Sequence, residues 1–513
     1  MNISKMNIKY PLVALIMMMT LAWACEDEFD KHYDPELPEN SELTLMDLIE
    51  QQENLSTFAE MIRKVGYDTI LSSDQTYTVW APVNEELTGI NMTDMQAVSR
   101  IVTNHIARFT HTASTSSYPV YMVNNKILLF STTAPGRSQF GAVSLLSMNN
   151  LAKNGILHTL NGNNPYLENI WEALDYPTTD SIANYLYSFN THIFSPYLST
   201  LIDYEDGKPV YDSVFFTSNE MWSNYSGIGF LAEEDSTYTM IVPTNEAWDD
   251  AYRKIAPYFL SNDLNNPDSI QEKNTRYALV KDLTFRGKIN PADYAVDDTL
   301  TSIRQSRFAD PAHLFVGAEK QEMSNGWIYK TNHLQYNHWE AWNQEIKLEA
   351  ESYWVRDDVD ESVTRISTYY DPDNADISNY ICLNVNPDKT SSTPNVTFAL
   401  PNVLAAKYDI YCVFQPDVLT MPNNPRASKA RCEILQFNRN NSRWNTVARQ
   451  TPANNTIDAL VRTEMLIYEG FEFPYANVIS SIEDINIYKI RITCFRGDVN
   501  RMKIDYILLK PVH

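Results

Sequence analysis

The chain has 513 residues, 44% of them apolar and 12% aromatic, and carries a formal net charge of −25 from 65 acidic against 40 basic side chains. That length suggests about three domains, with enough apolar content for full-sized cores. The acidic balance argues against a nucleic-acid binder, whose ligand demands a basic surface, and against electrostatic adhesion to anionic lipid.

In chain order, Lys5 and Lys9 come first, followed by the apolar run Pro11 to Ala24 (PLVALIMMMTLAWA). This run is shorter than the ~20 residues of a membrane-spanning helix and has the length of a signal-peptide core. Ala22 and Ala24 lead directly into Cys25. The arrangement resembles the lipobox of bacterial lipoproteins, with Trp23 as a departure. The resemblance implies cleavage after residue 24, lipidation of Cys25 and a lipid-anchored chain at the cell outer membrane, facing the exterior. Glu26, Asp27, Glu28 and Asp30 resemble the surface-export signal of Bacteroidetes lipoproteins. Residues 1–24 are therefore expected to be a signal peptide. Residues 25–41, with Pro35 and Pro38, are expected to be a lipidated acidic linker.

Residues 42–172 form one unit. Leu45, Leu48, Ile49, Leu55, Phe58, Met61, Ile62 and Val65 recur at helical spacing, and Gly66 stops that helix. A strand follows at 76–80, with Pro82 at its end. Asn84-Glu85-Glu86 opens a helix, Val98 to Phe109 continues the helical pattern, and 119–130 and 142–148 are strands. Asn154-Gly155 is a turn signal before the short strand Ile156-Leu157-His158. The strings TYTVWAPVNEEL (76–87), TNHIARF (103–109) and LAKNGILHTL (151–160) resemble the conserved boxes and closing strand of fasciclin (FAS1) domains. His105 stands at the family's histidine, and both its helical neighbours and the resemblance point to a structural role.

A second copy spans 178–345. TYTMIVPTNEAW (237–248) matches 76–87 with Tyr238, Pro243 and Asn245 in register, and MSNGWIYKTNHL (323–334) matches the closing strand. A period of about 160 residues marks a domain duplication rather than a solenoid. Residues 181–203 restart a helical pattern, 204–236 and 256–275 are insertions, and no histidine stands at 277–285. Residues 346–513 consist of short runs of period two separated by turns, the pattern of an all-β sandwich. Its ends, IKLEAE (346–351) and KIDYILLKP (503–511), resemble the first and last strands of galactose-binding-like jelly rolls, which include many carbohydrate-binding modules. The fold expected is multidomain: two α+β fasciclin domains followed by a jelly-roll sandwich.

No catalytic motif stands out: there is no His-Glu-x-x-His, phosphate loop or Gly-x-Ser-x-Gly. His333 and His338 are taken as loop residues. Cys382, Cys412, Cys432 and Cys494 lack zinc-ligand spacing and are either disulfide partners, in one of three pairings, or small buried hydrophobes. The jelly-roll resemblance implies a structural calcium on Glu351 and Asp505, with Glu349 on the same face. Tyr369, Tyr370, Trp444, Phe473 and Tyr475, all beside turns, are candidate sugar platforms. The expected function is a non-catalytic surface protein binding a glycan or other ligand, accessory to an outer-membrane transporter complex. The alternative is an adhesion or scaffolding protein that binds other proteins through its fasciclin domains.

Overall fold

A computed structural model describes residues 42–512 apart from 114–115, 135–136, 176, 196–199, 206–207, 213–214, 451–454, 481–483 and 496. The expected signal peptide, Cys25 and the acidic linker lie outside the described residues. The chain divides after Glu168 into two compact units.

The first unit opens with helices Leu45–Glu50, Ser56–Lys64 and Tyr67–Leu71. Thr44 caps the first of these: its hydroxyl accepts from the Asp47 N–H at 3.3 Å, and its own N–H donates back to the Asp47 carboxylate at 2.9 Å. Gly66, at φ +77°, stops helix Ser56–Lys64 as its position implies. Seven strands follow: β1 (Tyr77–Pro82), β2 (Ile106–Arg108), β3 (Tyr118–Tyr121), β4 (Ile127–Ala134), β5 (Arg137–Phe140), β6 (Val143–Ala152) and β7 (Gly155–Leu160). They form one sheet in the order β2-β1-β7-β6-β5-β4-β3. β1 runs parallel to β7 and is buried along its whole length, which is why its sequence does not alternate.

The expected helix through Phe109 is corrected. Helix Met95–Thr103 stops short, and the chain turns into β2. The open edge of β1 needs partners there: Trp80 N–H donates to His105 O at 3.0 Å, and Phe109 N–H donates to Thr76 O at 2.9 Å. His105 is fully buried in this turn, and burial lowers its pKa to about 4. Its Nδ1–H donates to Ile101 O at 2.7 Å, and its Nε2 accepts from the Asn164 N–H at 3.2 Å. The ring is a neutral structural bridge with both nitrogens occupied.

The second unit repeats the plan with β8 (Asn190–Phe194), β9 (Thr200–Glu205), β10 (Lys208–Asp212), β11 (Phe215–Asn219), β12 (Tyr238–Pro243), β13 (Thr284–Arg286), β14 (Thr299–Thr301), β15 (Arg307–Ala309), β16 (Glu319–Met323) and β17 (Gly326–Thr331). The core sheet has the order β13-β12-β17-β16. The helical pattern expected across 181–203 holds only for Asp180–Tyr187. β8 then pairs with β11, and β9 with β10, as two small added sheets.

The two copies share their polar interior. Asn154 Oδ1 accepts from the Leu45 N–H at 2.8 Å, and its Nδ2 donates to Leu71 O and Ser73 O at 2.8 and 2.7 Å. Asn325 repeats this with the Ile170 N–H at 2.9 Å and with Leu231 O and Glu233 O at 2.8 and 2.9 Å. The next residue must be glycine: a Cβ at Gly155 would lie 1.9 Å from Tyr77 O, and one at Gly326 would lie 1.8 Å from Tyr238 O. Asn84 and Asn245 form a second matched pair. Each accepts a helical N–H, from Thr57 at 2.9 Å and from Ser181 at 3.0 Å.

The same unit ends in the sandwich: β18 (Ile346–Glu349), β19 (Arg356–Val359), β20 (Thr364–Tyr370), β21 (Ile381–Pro387), β22 (Asn395–Ala399), β23 (Lys407–Gln415), β24 (Ser428–Asn438), β25 (Arg443–Arg449), β26 (Thr456–Ile457), β27 (Thr463–Glu472), β28 (Tyr488–Phe495) and β29 (Met502–Pro511). One sheet runs β20-β21-β29-β23-β27 with β18 also on β29. The other runs β19-β22-β28-β24-β25 with β26 also on β24. Cys412, Cys432 and Cys494 point into the core between them, whereas Cys382 lies on the other face of its sheet beside Asp505; all four are buried and unpaired. Burial pushes the Cys382 and Cys494 thiols up to about 12. The sandwich joins the preceding domain through backbone: Ala405 N–H donates to Tyr258 O at 2.9 Å and Ala476 N–H to Leu260 O at 2.7 Å.

Asn154→Ala and Asn325→Ala each orphan three buried backbone groups. Each is expected to destabilise its own domain by about 3 kcal/mol, seen as a shift of one of the calorimetric transitions of the full chain. Equal shifts of every transition from either variant would contradict separate clamps.

Candidate functional site

Where β18 ends and β29 begins, three carboxyl groups come together. Glu349 pairs across from Tyr506, and Ala350 N–H donates to Asp505 O at 3.0 Å. β18 stops at Glu349, so Glu351 reaches in from the following turn rather than along a strand. The Asp505 side chain accepts from the Ser378 N–H at 3.1 Å and from Gln415 Nε2 at 2.7 Å. Glu349 Oε1 accepts from Ser378 Oγ at 2.7 Å and pairs with the Lys347 ammonium at 2.9 Å. Oε2 of Glu349 and Oε2 of Glu351 are buried with no hydrogen-bond partner.

Burial, with the charge of Glu349 added, raises Asp505 to about 6 against the hydrogen bonds from Gln415 and Ser378. Burial and the charges of Glu349 and Asp505 likewise raise Glu351. The orphaned oxygens and the hard donor set fit a cation such as calcium. Among the described residues no three His, Cys, Asp or Glu side chains are drawn together as tightly as a bound ion requires.

Exposed aromatic rings lie on the chain segments next to this cluster. Tyr353 and Trp354 follow Glu351, with ring centroids 4.5 Å apart, and Trp354 is 78% exposed. Tyr370 ends β20 opposite Ile381 at the start of β21, and its neighbour Asp371 bonds through its N–H to Tyr380 O at 2.9 Å. Tyr380 is itself exposed and sits at φ +64°, directly after Asn379 at φ +51°. Left-handed backbone at a bulky residue costs about 1 kcal/mol or more and concentrates at functional sites. Ser378 ties this turn to Asp505 and Glu349, so Tyr353, Trp354, Tyr370 and Tyr380 belong to the loops of one end of the sandwich.

The other sequence-derived platforms do not join them. Phe473 is corrected: it is a core residue, 1% exposed, packed edge-on to Tyr408, Phe471 and Tyr488, and has no face free for a ligand. Trp444 lies on β25 of the opposite sheet, half-buried against Phe437, with the Lys489 ammonium 3.9 Å over its ring. Tyr475 is partly exposed beside the junction with the preceding domain, and its N–H donates to the Tyr488 hydroxyl at 3.2 Å. Tyr369 is half-buried, its hydroxyl 3.3 Å from Asp371 Oδ2.

Sequence reading missed Tyr353 and Trp354. Their signal was two adjacent aromatics that belong to neither flanking period-two run. It also missed the polar outer face of the second sheet. There Asp358, Thr397, Arg491, Glu433 and Arg449 stand side by side across β19, β22, β28, β24 and β25. Glu433 pairs with Arg449 at 2.5 Å, while Arg431 lies over the Phe495 ring at 4.5 Å. A concavity of about 830 Å³ covers this face. The alternation Lys489, Arg491, Thr493, Phe495 within YKIRITCF carried the clue.

No protein-family model matches the chain, and no curated protein matches it significantly. Among solved structures it is similar to a FAS1 domain pair from the insect cell adhesion molecule fasciclin I, with 13% identity, a TM-score of 0.21, and coverage of 56% of this chain and 98% of that one. It is also similar to a xylan-binding domain of carbohydrate-binding module family 22, with 11% identity, a TM-score of 0.19, and coverage of 31% and 97%. A family 11 carbohydrate-binding module from Clostridium thermocellum, in complex with a β-1,3-1,4-mixed-linked tetrasaccharide, matches at 14% identity and a TM-score of 0.20, with coverage of 33% and 96%. At these identities and scores the matches assign neither function nor site.

Two titrations run in opposite directions. A His105 pKa lowered to about 4 removes stability as pH falls from about 6.5 towards 4. An Asp505 pKa raised to about 6 removes stability as pH rises from about 3.8 through 6. In chelator, the transition of the second unit is expected to weaken between pH 4.5 and 6.5 by on the order of 2–3 kcal/mol through Asp505. Asp505→Asn should flatten that dependence in calorimetry of the full chain. An unchanged profile in the variant would exclude Asp505 as its source.

Proposed function

We propose that the chain is a non-catalytic binding protein whose sandwich takes a glycan at the loop end formed by Tyr353, Trp354, Tyr370 and Tyr380. The observation that carries this reading is Trp354, 78% exposed and next to the Tyr353 ring at 4.5 Å, tilted by 32°, just after Glu351 of a buried carboxylate cluster. An exposed large aromatic pair costs solvation unless a ligand covers it. Its faces suit the apolar C–H faces of a sugar ring, and flanking polar groups meet the hydroxyls. Glu349, Glu351 and Asp505 would hold a calcium ion, which supplies positive charge where three carboxylates converge and so rigidifies the loops that carry the rings.

The lipobox-like Cys25 would tether the chain to an outer membrane, where glycan capture serves a nutrient-uptake complex. A second reading, protein docking, is favoured by the added two-stranded sheet β8-β11. Ile193, Phe215 and Phe216 stand exposed on it, and Phe194 contacts Phe215 at 5.7 Å.

Native gels containing soluble xylan or mixed-linkage β-glucan should retard the full chain. Trp354→Ala should weaken that retardation at least tenfold, a loss of about 1.4 kcal/mol. Retardation that survives Trp354→Ala together with Tyr353→Ala would move the glycan site elsewhere.

Calcium at about one hundred times its dissociation constant should raise the stability of the second unit by about 2.7 kcal/mol. Glu351→Gln should remove most of that gain. A calcium-independent melting curve for the parent chain would rule the ion out.

A further inference from the structure

The second α+β domain carries a concavity that the sandwich site does not use. It has a volume of about 390 Å³ and lies between helix Asn245–Ile255, Tyr258 and the segment that leaves β17 for the sandwich. Its aromatic wall is built in layers. Trp342 meets the Tyr258 ring edge-on at 4.8 Å and lies nearly parallel to His338 at 5.4 Å. His338 in turn meets Trp339 edge-on at 5.1 Å, and Trp339 is 44% exposed.

The segment is held by its own polar contacts. Asn337 Nδ2 donates to Glu340 Oε2 at 3.0 Å, and Glu340 Oε1 accepts from the Ala309 N–H at 2.8 Å. Asn343 N–H donates to His338 O at 2.8 Å, and Gln344 Nε2 donates to Glu340 O at 2.6 Å. An indole half-open to solvent on so tightly tied a turn is a preformed platform rather than a loose loop.

The rest of the lining defines the ligand. Gln335, His313 and His333 offer hydrogen-bond donors and acceptors. The one carboxylate of the lining, Asp250, is paired at 2.8 Å with its one ammonium, Lys254. A charged ligand would meet no surplus of opposite charge. What remains is a neutral ring with an apolar face for the indole and hydroxyls for amide and imidazole. The volume matches a pocket for one or two such rings.

We propose that this pocket is a second carbohydrate site, specific for a neutral pyranose unit, with Trp339 as its stacking platform and Gln335 as a hydrogen-bonding wall. It is independent of the sandwich site, because it shares no residue with it.

The test uses the full chain carrying Trp354→Ala, in native gels containing arabinoxylan, galactomannan or mixed-linkage β-glucan, with polygalacturonate as the acidic comparison. At least one neutral polysaccharide should still retard this chain. Adding Trp339→Ala should weaken retardation at least tenfold. Adding Gln335→Ala, which leaves the aromatic layers intact, should weaken it several-fold with an unchanged melting curve. No retardation by any neutral polysaccharide, retardation by polygalacturonate alone, or retardation indifferent to both additions overturns the proposal. Trp339→Ala in the parent chain, with Trp354 intact, separates failure here from failure at the sandwich.

Discussion

Both α+β domains hang on one buried asparagine followed by one glycine. The closing strand must lie parallel to the central strand, and nothing local joins the two. Asn154 and Asn325 supply the link: one side-chain amide satisfies an N–H at a helix start and two carbonyls from a distant turn. Each bond alone is worth about 1 kcal/mol net, but leaving its partners buried and unsatisfied costs more. The glycine that follows permits the approach of β7 to β1, and of β17 to β12, which any side chain would block. Core packing on either side of β1 and β12 presupposes that register.

The duplication was legible because this clamp and the strand before it survive in both copies as short strings. What the strings could not show was the purpose of Asn-Gly. As a hairpin signal it correctly marks the turn between β6 and β7, yet its asparagine is buried for contacts more than 80 residues away in sequence. The misjudged helix at 98–109 has the same origin. Ile101, Val102 and Ile106 keep helical spacing, but the unsatisfied edge of β1 recruits 106–108 as a strand, and tertiary demand overrides periodicity. In the second copy Leu283 occupies the place of His105, since Ile241 N–H bonds to Leu283 O as Trp80 N–H bonds to His105 O. The histidine is thus one local way to fill that turn, and the fold does not require it.

The candidate site was half legible. Glu351 and Asp505 came from the resemblance of the chain's two sandwich ends to galactose-binding-like jelly rolls, and β18 does lie against β29. Aromatics were sought beside turns, and that rule could not separate Tyr370, which faces water, from Phe473, which faces the core. Period two decides between faces within a strand, but it says nothing about residues just beyond a strand's end, where the chain bends. Tyr353 and Trp354 lie in such a bend, outside both alternating runs.

The junction between the second domain and the sandwich gives the two aromatic sites a relation. Backbone bonds from Ala405 and Ala476 reach Tyr258 O and Leu260 O, and Arg439 pairs with Asp263 at 3.4 Å. Tyr258 is also a wall of the pocket beneath Trp342. The residue that anchors the sandwich therefore shapes the second domain's cavity, and the linker that would otherwise be slack is folded into its rim. Two sites on one compact unit, as proposed, would raise effective concentration for a repeating polymer, which a single sugar cannot exploit. On that proposal, an extended polysaccharide would be the ligand for which such an arrangement is worth more than either site alone.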